Sequence, residues 1–114
     1  MPKRRIELGL GEAALLFAAL GDETRLALLE RLSDGGPASI SVLSESFGIS
    51  RQAVTKHLQV LAIADIIAGK RAGREHVWAL NPNRLDDARR CLKIIARGWD
   101  DALGRLKAHL EGDE

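Results

Sequence analysis

The segment Gly48-Ile49-Ser50-Arg51-Gln52-Ala53-Val54-Thr55-Lys56-His57-Leu58 constrains this chain more than any other. Gly48 is a helix-ending residue, and Ser50, two positions on, is a residue that opens a helix as its N-cap. Only a tight turn fits between them. Val54, Leu58 and Leu61 then recur at i, i+4 and i+7, which is one buried stripe of an amphipathic helix. Gln52, Thr55, Lys56 and Gln59 fall on the opposite face. No acidic residue occurs from Ser50 to Ala64, so the wet face of this helix consists of amides, a hydroxyl and an ammonium. Two helices joined by a tight glycine turn, the second presenting hydrogen-bond donors, form a helix-turn-helix.

The flanking sequence supplies the rest of a mainly α domain with a small β-hairpin. Residues 10–20, with Leu15, Leu16, Phe17 and Leu20 among alanines, predict a buried first helix that ends at Gly21. Asp22 caps a second helix with Glu23 in its first turn, Leu26, Leu29 and Leu32 at helical spacing, and Gly35-Gly36-Pro37 as its stop. Ser39 or Ser41 caps a short third helix carrying Val42, Leu43 and Phe47. Beyond Asp65 the pattern shortens to strands. Ile66-Ala68 and His76-Leu80 flank a glycine-bracketed turn, residues 69–75, that holds Lys70, Arg71 and Arg74. Asn81-Pro82 ends the second strand, and a long helix is predicted over 84–111. Its Leu92, Ala96, Trp99, Leu103, Leu106 and Leu110 step by four and three, which is a heptad seam.

Length and composition are consistent with one globular domain over 1–114: 46% of residues are apolar and 29% charged. Aromatics are only 4%, so the core is expected to be leucine, isoleucine, valine and alanine. No apolar run approaches the roughly 20 residues of a membrane span. The basic start, Met1-Pro2-Lys3-Arg4-Arg5, lacks the apolar stretch of a signal peptide and reads as a flexible arm over 1–8. Cys91 is alone, which excludes an internal disulfide and suits the reducing cytoplasm. The net charge of +1 hides a strong asymmetry. Residues 6–49 set seven acids against Arg25 and Arg31, whereas residues 50–74 set five bases against Asp65 alone. A solvated face is the ordinary meaning of such a run. Its coincidence with an acid-free helix points instead to double-stranded DNA.

The chemistry of that reading follows from the major groove, which admits one α-helix. Gln52 and Gln59 suit adenine edges, and Arg51 and Lys56 suit guanine or phosphate. Ser50 and Thr55 are short enough to let the helix start approach a phosphate. Lys70, Arg71 and Arg74 would contact backbone or minor groove and supply affinity rather than sequence choice. His57 lies at the edge of the apolar stripe, where it serves either as a boundary residue or as a DNA contact. The heptad seam either packs on the chain's own helices or joins a second copy. A two-fold dimer through the first and last helices is the expectation, with Leu16, Phe17, Leu92, Trp99, Leu103, Leu106 and Leu110 in the interface. An enzyme is not expected. Asp86-Asp87 and Asp100-Asp101 are adjacent pairs that diverge on a helix, and no phosphate-cradling glycine loop is present.

At Gly21-Asp22-Glu23-Thr24-Arg25-Leu26, at Gly48 to Leu58 and at the basic hairpin, the chain resembles the ArsR-type winged-helix repressors of bacteria. The resemblance implies five helices plus a wing, with the fourth helix (50–63) as reader and the outer helices as dimer interface. Metal-sensing members carry thiols or acids where this chain has Ser39, Ser41 and Val42, a set that cannot form a thiolate site. No metal and no cofactor are expected. The competing readings are a protein-interaction module on a degenerate winged helix, and a sensor using Cys91 or a pocket at the dimer interface.

Overall fold

Asp22, Ser39 and Ser50 open three helices by one device, a side-chain oxygen that accepts a backbone N–H three residues on. The acceptor distances are 3.0 Å from Arg25 to Asp22, 3.2 Å from Val42 to Ser39 and 3.0 Å from Ala53 to Ser50. The computed structural model describes residues 9–112. Its elements run α1 (Leu10–Leu20), α2 (Glu23–Gly35), β1 (Ala38–Ser39), α3 (Ile40–Phe47), α4 (Arg51–Ile63), β2 (Ile67–Ala72), β3 (Glu75–Leu80) and α5 (Pro82–Gly112). The expected basic arm, 1–8, lies outside the described residues.

The core is aliphatic. Leu16, Leu28, Leu43, Val54, Leu58, Leu61 and Ile66 are fully enclosed, one or more from each of α1 to α4 and one from the segment leading into β2. Three strands close one side in the order β1-β3-β2, all antiparallel. The two-residue β1, which pairs Ala38 with Trp78 and Ser39 with Val77, is not visible in the sequence pattern. It is too short to show alternation, and it exists because β3 offers it an edge.

The α3–α4 turn is held at both ends. Gly48 takes the left-handed conformation at φ +66° and donates to the Ser44 carbonyl at 2.9 Å. The Ser44 hydroxyl donates to the Ile49 carbonyl at 2.6 Å, bridging the turn. At the other end of α4, Asp65 adopts φ +63° while its N–H reaches Ala62 and that of Ile66 reaches Leu61. This is a Schellman stop built without glycine, and it drives Ile66 into the core.

Several expectations are corrected. α1, expected as a buried helix, buries only Leu16 and Ala19, because partners cover one side of it. Leu16 therefore belongs to the chain's own core, and is not available to a dimer interface. In α2 the buried set is Leu28, Leu29 and Leu32, while Leu26 is 52% exposed. The wing strands are longer than the sequence suggests, and only Gly73 and Arg74 lie between the last paired residues, Ala72 and Glu75. Gly69, read as a breaker, sits within β2 opposite Trp78. A Cβ there would meet His76 at 2.7 Å and Trp78 at 3.0 Å, so the missing side chain makes room for these two rings. They stack at 4.8 Å between centroids. Finally, α5 begins at Pro82 rather than Arg84, since proline is at home in a first helical turn.

The molecule is elongated. Its radius of gyration is 18.9 Å and its long axis 70 Å, against about 13 Å expected for the radius of a compact chain of this length. α5 is the cause: its 31 residues extend about 46 Å, and every residue from Leu92 to Gly112 is exposed.

Candidate nucleic-acid interface

α4 is anchored by Val54, Leu58 and Leu61, so the opposite face points outward by helical geometry alone. Gln52, Lys56 and Gln59 are exposed on it. The two short side chains of the predicted set serve the helix itself. Ser50 accepts the cap hydrogen bond, leaving its own hydroxyl proton to donate outward. The half-buried Thr55 turns its hydroxyl back to the Arg51 carbonyl at 2.7 Å. Arg51 departs sideways: its guanidinium donates to the Ser41 hydroxyl on α3.

Strand periodicity divides the wing's cations. Arg71 pairs with His76 across the hairpin and shares the face of Gly69, His76 and Trp78, whereas Lys70 pairs with Val77 and faces the other way. Arg74 sits in the two-residue turn, after Gly73 at φ +69°. Arg51, Arg71 and Arg74 come together along a groove of about 420 Å3 between the start of α3, the start of α4 and the wing. Lys70 lies outside it. Sequence reasoning missed Ser41, Glu75 and His76 as groove residues. No periodicity links positions ten or more residues apart on different elements.

His57 is a boundary residue. Its Nδ1 lies 3.4 Å from the Arg25 guanidinium and 3.8 Å from the Asp22 carboxylate, at the junction of α2 and α4. Arg25 in turn donates to the Ala19 and Ala18 carbonyls, closing the end of α1. The hydrogen bond from the Arg25 backbone N–H holds the Asp22 carboxyl below its ordinary value.

A second junction joins the other helices. Arg84, 8% exposed, donates through Nε to the Ala64 carbonyl at the end of α4 at 2.8 Å. It also pairs with Asp87 at 3.3 Å and with Glu12 of α1 at 3.1 Å. The reading helix is thereby tied to both α1 and α5. Among the described residues no three His, Cys, Asp or Glu side chains converge as a metal site would need. No helix among them is long and apolar enough to cross a membrane.

The heptad seam does not pack on the chain's own helices. Leu92, Trp99, Leu103, Leu106 and Leu110 are each at least half exposed, and Trp99 reaches 66%. Leu10 and Leu15 of α1 are exposed as well, while Phe17 is half-buried against the core.

Residues 20–69 match the sequence profile of a helix-turn-helix domain. The HTH-type transcriptional regulator Rv2034 of Mycobacterium tuberculosis is 39% identical over 87 residues, covering 76% of this chain and 78% of that protein. The transcriptional repressor SdpR of Bacillus subtilis is 32% identical over 87 residues, covering 75% and 96%. Among solved structures, an ArsR-like transcriptional regulator from Rhodococcus sp. RHA1 superimposes with a TM-score of 0.77 at 35% identity, covering 85% of this chain and 91% of that one. The capped helix-turn-helix, the hairpin wing and these similarities lead to one conclusion: the chain belongs to the ArsR family of winged helix-turn-helix transcriptional regulators.

Proposed function

We propose that the protein is a cytoplasmic homodimeric repressor that binds double-stranded operator DNA, with α4 in the major groove and the wing on the backbone or in the minor groove. One observation carries the reading: the outward face of α4 is exposed, contains no acid, and adjoins the cationic wing. On that face Gln52 and Gln59 present amides to adenine edges and Lys56 reaches guanine or phosphate. Ser50 and the N–H groups at the start of α4 favour a phosphate. Lys70, Arg71 and Arg74 add affinity without sequence choice.

Dimerisation follows from the exposed apolar residues of α5 (Leu92, Trp99, Leu103, Leu106 and Leu110) and from Phe17 and its exposed neighbours on α1. Two copies joined there would present two reading helices to half-sites about 34–36 Å apart. A catalytic role has no place in this reading. Nor has a thiolate-bound metal: Ser39 caps α3, Ser41 holds Arg51, and Cys91 is the chain's one thiol.

A gel shift on the DNA upstream of the chain's own gene, at two salt concentrations, tests the proposal. Expected is a retarded complex that weakens as salt rises. No complex at low salt, or one indifferent to salt, leaves the fold to a protein-interaction role. Gln52→Ala should cost about 1–3 kcal/mol on the operator and relax base preference. Lys70→Ala should weaken operator and random DNA alike.

A further inference from the structure

The groove beside the reading helix gathers cations that no single element supplies. β1 ends at Ser39 opposite Val77, so beyond it His76 and Glu75 of β3 pair with β2 on one side and have no strand partner among the described residues on the other. The start of α3, at Ile40 and Ser41, lines the space on that side. Arg51 enters it from α4, Arg71 and Arg74 from the wing, and Ser41 from α3. We propose that this groove seats one backbone phosphate of duplex DNA, and that Arg51 is a ligand of this phosphate rather than a reader of bases.

Three observations support the assignment, which rests on the DNA-binding reading above. Arg51 borders the outer face beside Gln52 and Lys56, but its guanidinium donates to the Ser41 hydroxyl and is drawn toward α3 and the groove. Guanidinium groups match phosphate oxygens in geometry as well as charge, and Arg71 and Arg74 have no ion pair among the described residues. The third is geometric. With α4 in the major groove and the wing in the adjacent minor groove, the sugar–phosphate strand that separates them must cross between the two elements. That crossing is where this groove lies. Glu75 is the acid in its lining, so it opposes the phosphate and holds affinity below what the arginines alone would give.

The test is fluorescence anisotropy over a salt series with two probes, a random-sequence duplex and the duplex upstream of the chain's own gene. Arg51→Gln and Arg71→Gln should each weaken binding to both duplexes roughly tenfold at low salt, leaving the ratio between duplexes unchanged. Each should lower the salt slope by about one per groove. Because both arginines serve one phosphate, the double variant should lose less than the sum of the two. Glu75→Gln should tighten both duplexes, and Ser41→Ala should weaken both, less than Arg51→Gln does. A changed operator-to-random ratio for Arg51→Gln would make it a base reader and overturn the seat, as would full additivity in the double variant. If the unaltered protein shows no salt-dependent binding, the DNA-binding reading itself falls, and the seat with it.

Discussion

At the scale of single residues, Arg84 and Asp22 do more than their positions in the sequence suggest. Arg84 opens no motif and lies in an ordinary basic helix, yet it is buried and joins three helices. Replacing it with alanine removes one partner of the buried Asp87 and the side-chain donor to the Ala64 carbonyl. We expect Arg84→Ala to cost about 3 kcal/mol in urea unfolding, the scale for breaking a buried pair from one side. Glu12→Gln should cost under about 1 kcal/mol, because the Glu12 side chain is half exposed. Asp22 predicts a pH dependence. Its carboxyl is lowered chiefly by the Arg25 backbone N–H; desolvation opposes this, and the Arg25 and His57 charges and the Thr24 backbone N–H lower it further. A lowered acid stabilises the fold fully above its ordinary value of 3.8, and that stabilisation is lost as pH falls through the folded-state value. The stability gap between the unaltered protein and Asp22→Asn, from urea titrations, should therefore be constant at neutral pH and shrink in acid. A gap that widened in acid would contradict the assignment.

At the scale of elements, local chemistry predicted the helices well and their buried faces less well. The caps at Asp22 and Ser50 were legible because capping involves atoms three residues apart, while for α3 the sequence left Ser39 and Ser41 open and the structure gives Ser39. The faces of α1 and α2 were not, because both are apolar on more sides than the core covers. In α2, Leu26, Leu29 and Leu32 share a stripe as good as that of Leu28, Leu29 and Leu32. Only the positions of α1, α4 and β3 decide between them. Leu28→Ala should cost about 3 kcal/mol by denaturant unfolding, as a fully enclosed leucine does. Leu26→Ala should stay within about 0.5 kcal/mol. In the wing, Gly73 holds a φ of +69° that side chains resist. Gly73→Ala should destabilise by about 1 kcal/mol and loosen DNA binding at the same time, read by thermal melting and anisotropy. Gly69 was misread for a related reason: its absent side chain serves the stacked rings of β3 across the hairpin, not a turn.

At the scale of the molecule, α5 dominates. A chain whose long axis reaches 70 Å while a heptad seam stands uncovered has not finished burying its apolar surface. A second copy supplies the missing partner in the proposed dimer. Trp99→Glu puts a charge into the middle of that seam, at a residue 66% exposed within one chain. The substitution should leave the helix content of the chain unchanged in far-UV circular dichroism. In sedimentation equilibrium the mass should fall to that of one chain, and operator affinity should drop about 100-fold or more, since the two reading helices no longer bind as one unit. Unchanged mass would place the dimer contact elsewhere.

The sequence by itself determined the helix-turn-helix, the capped helix starts, the acid-free outer face of α4, the cationic hairpin and the seam of α5. These depend on residues within one or two turns of each other, where backbone geometry leaves few choices. Tertiary structure alone decided that Leu16 is core, that Leu26 is surface, that β1 exists, that Arg84 ties α4 to α1 and α5, and that Arg51 lies beside the wing. Each of those depends on which elements meet in space, and a contact between distant segments leaves no period in the sequence to read.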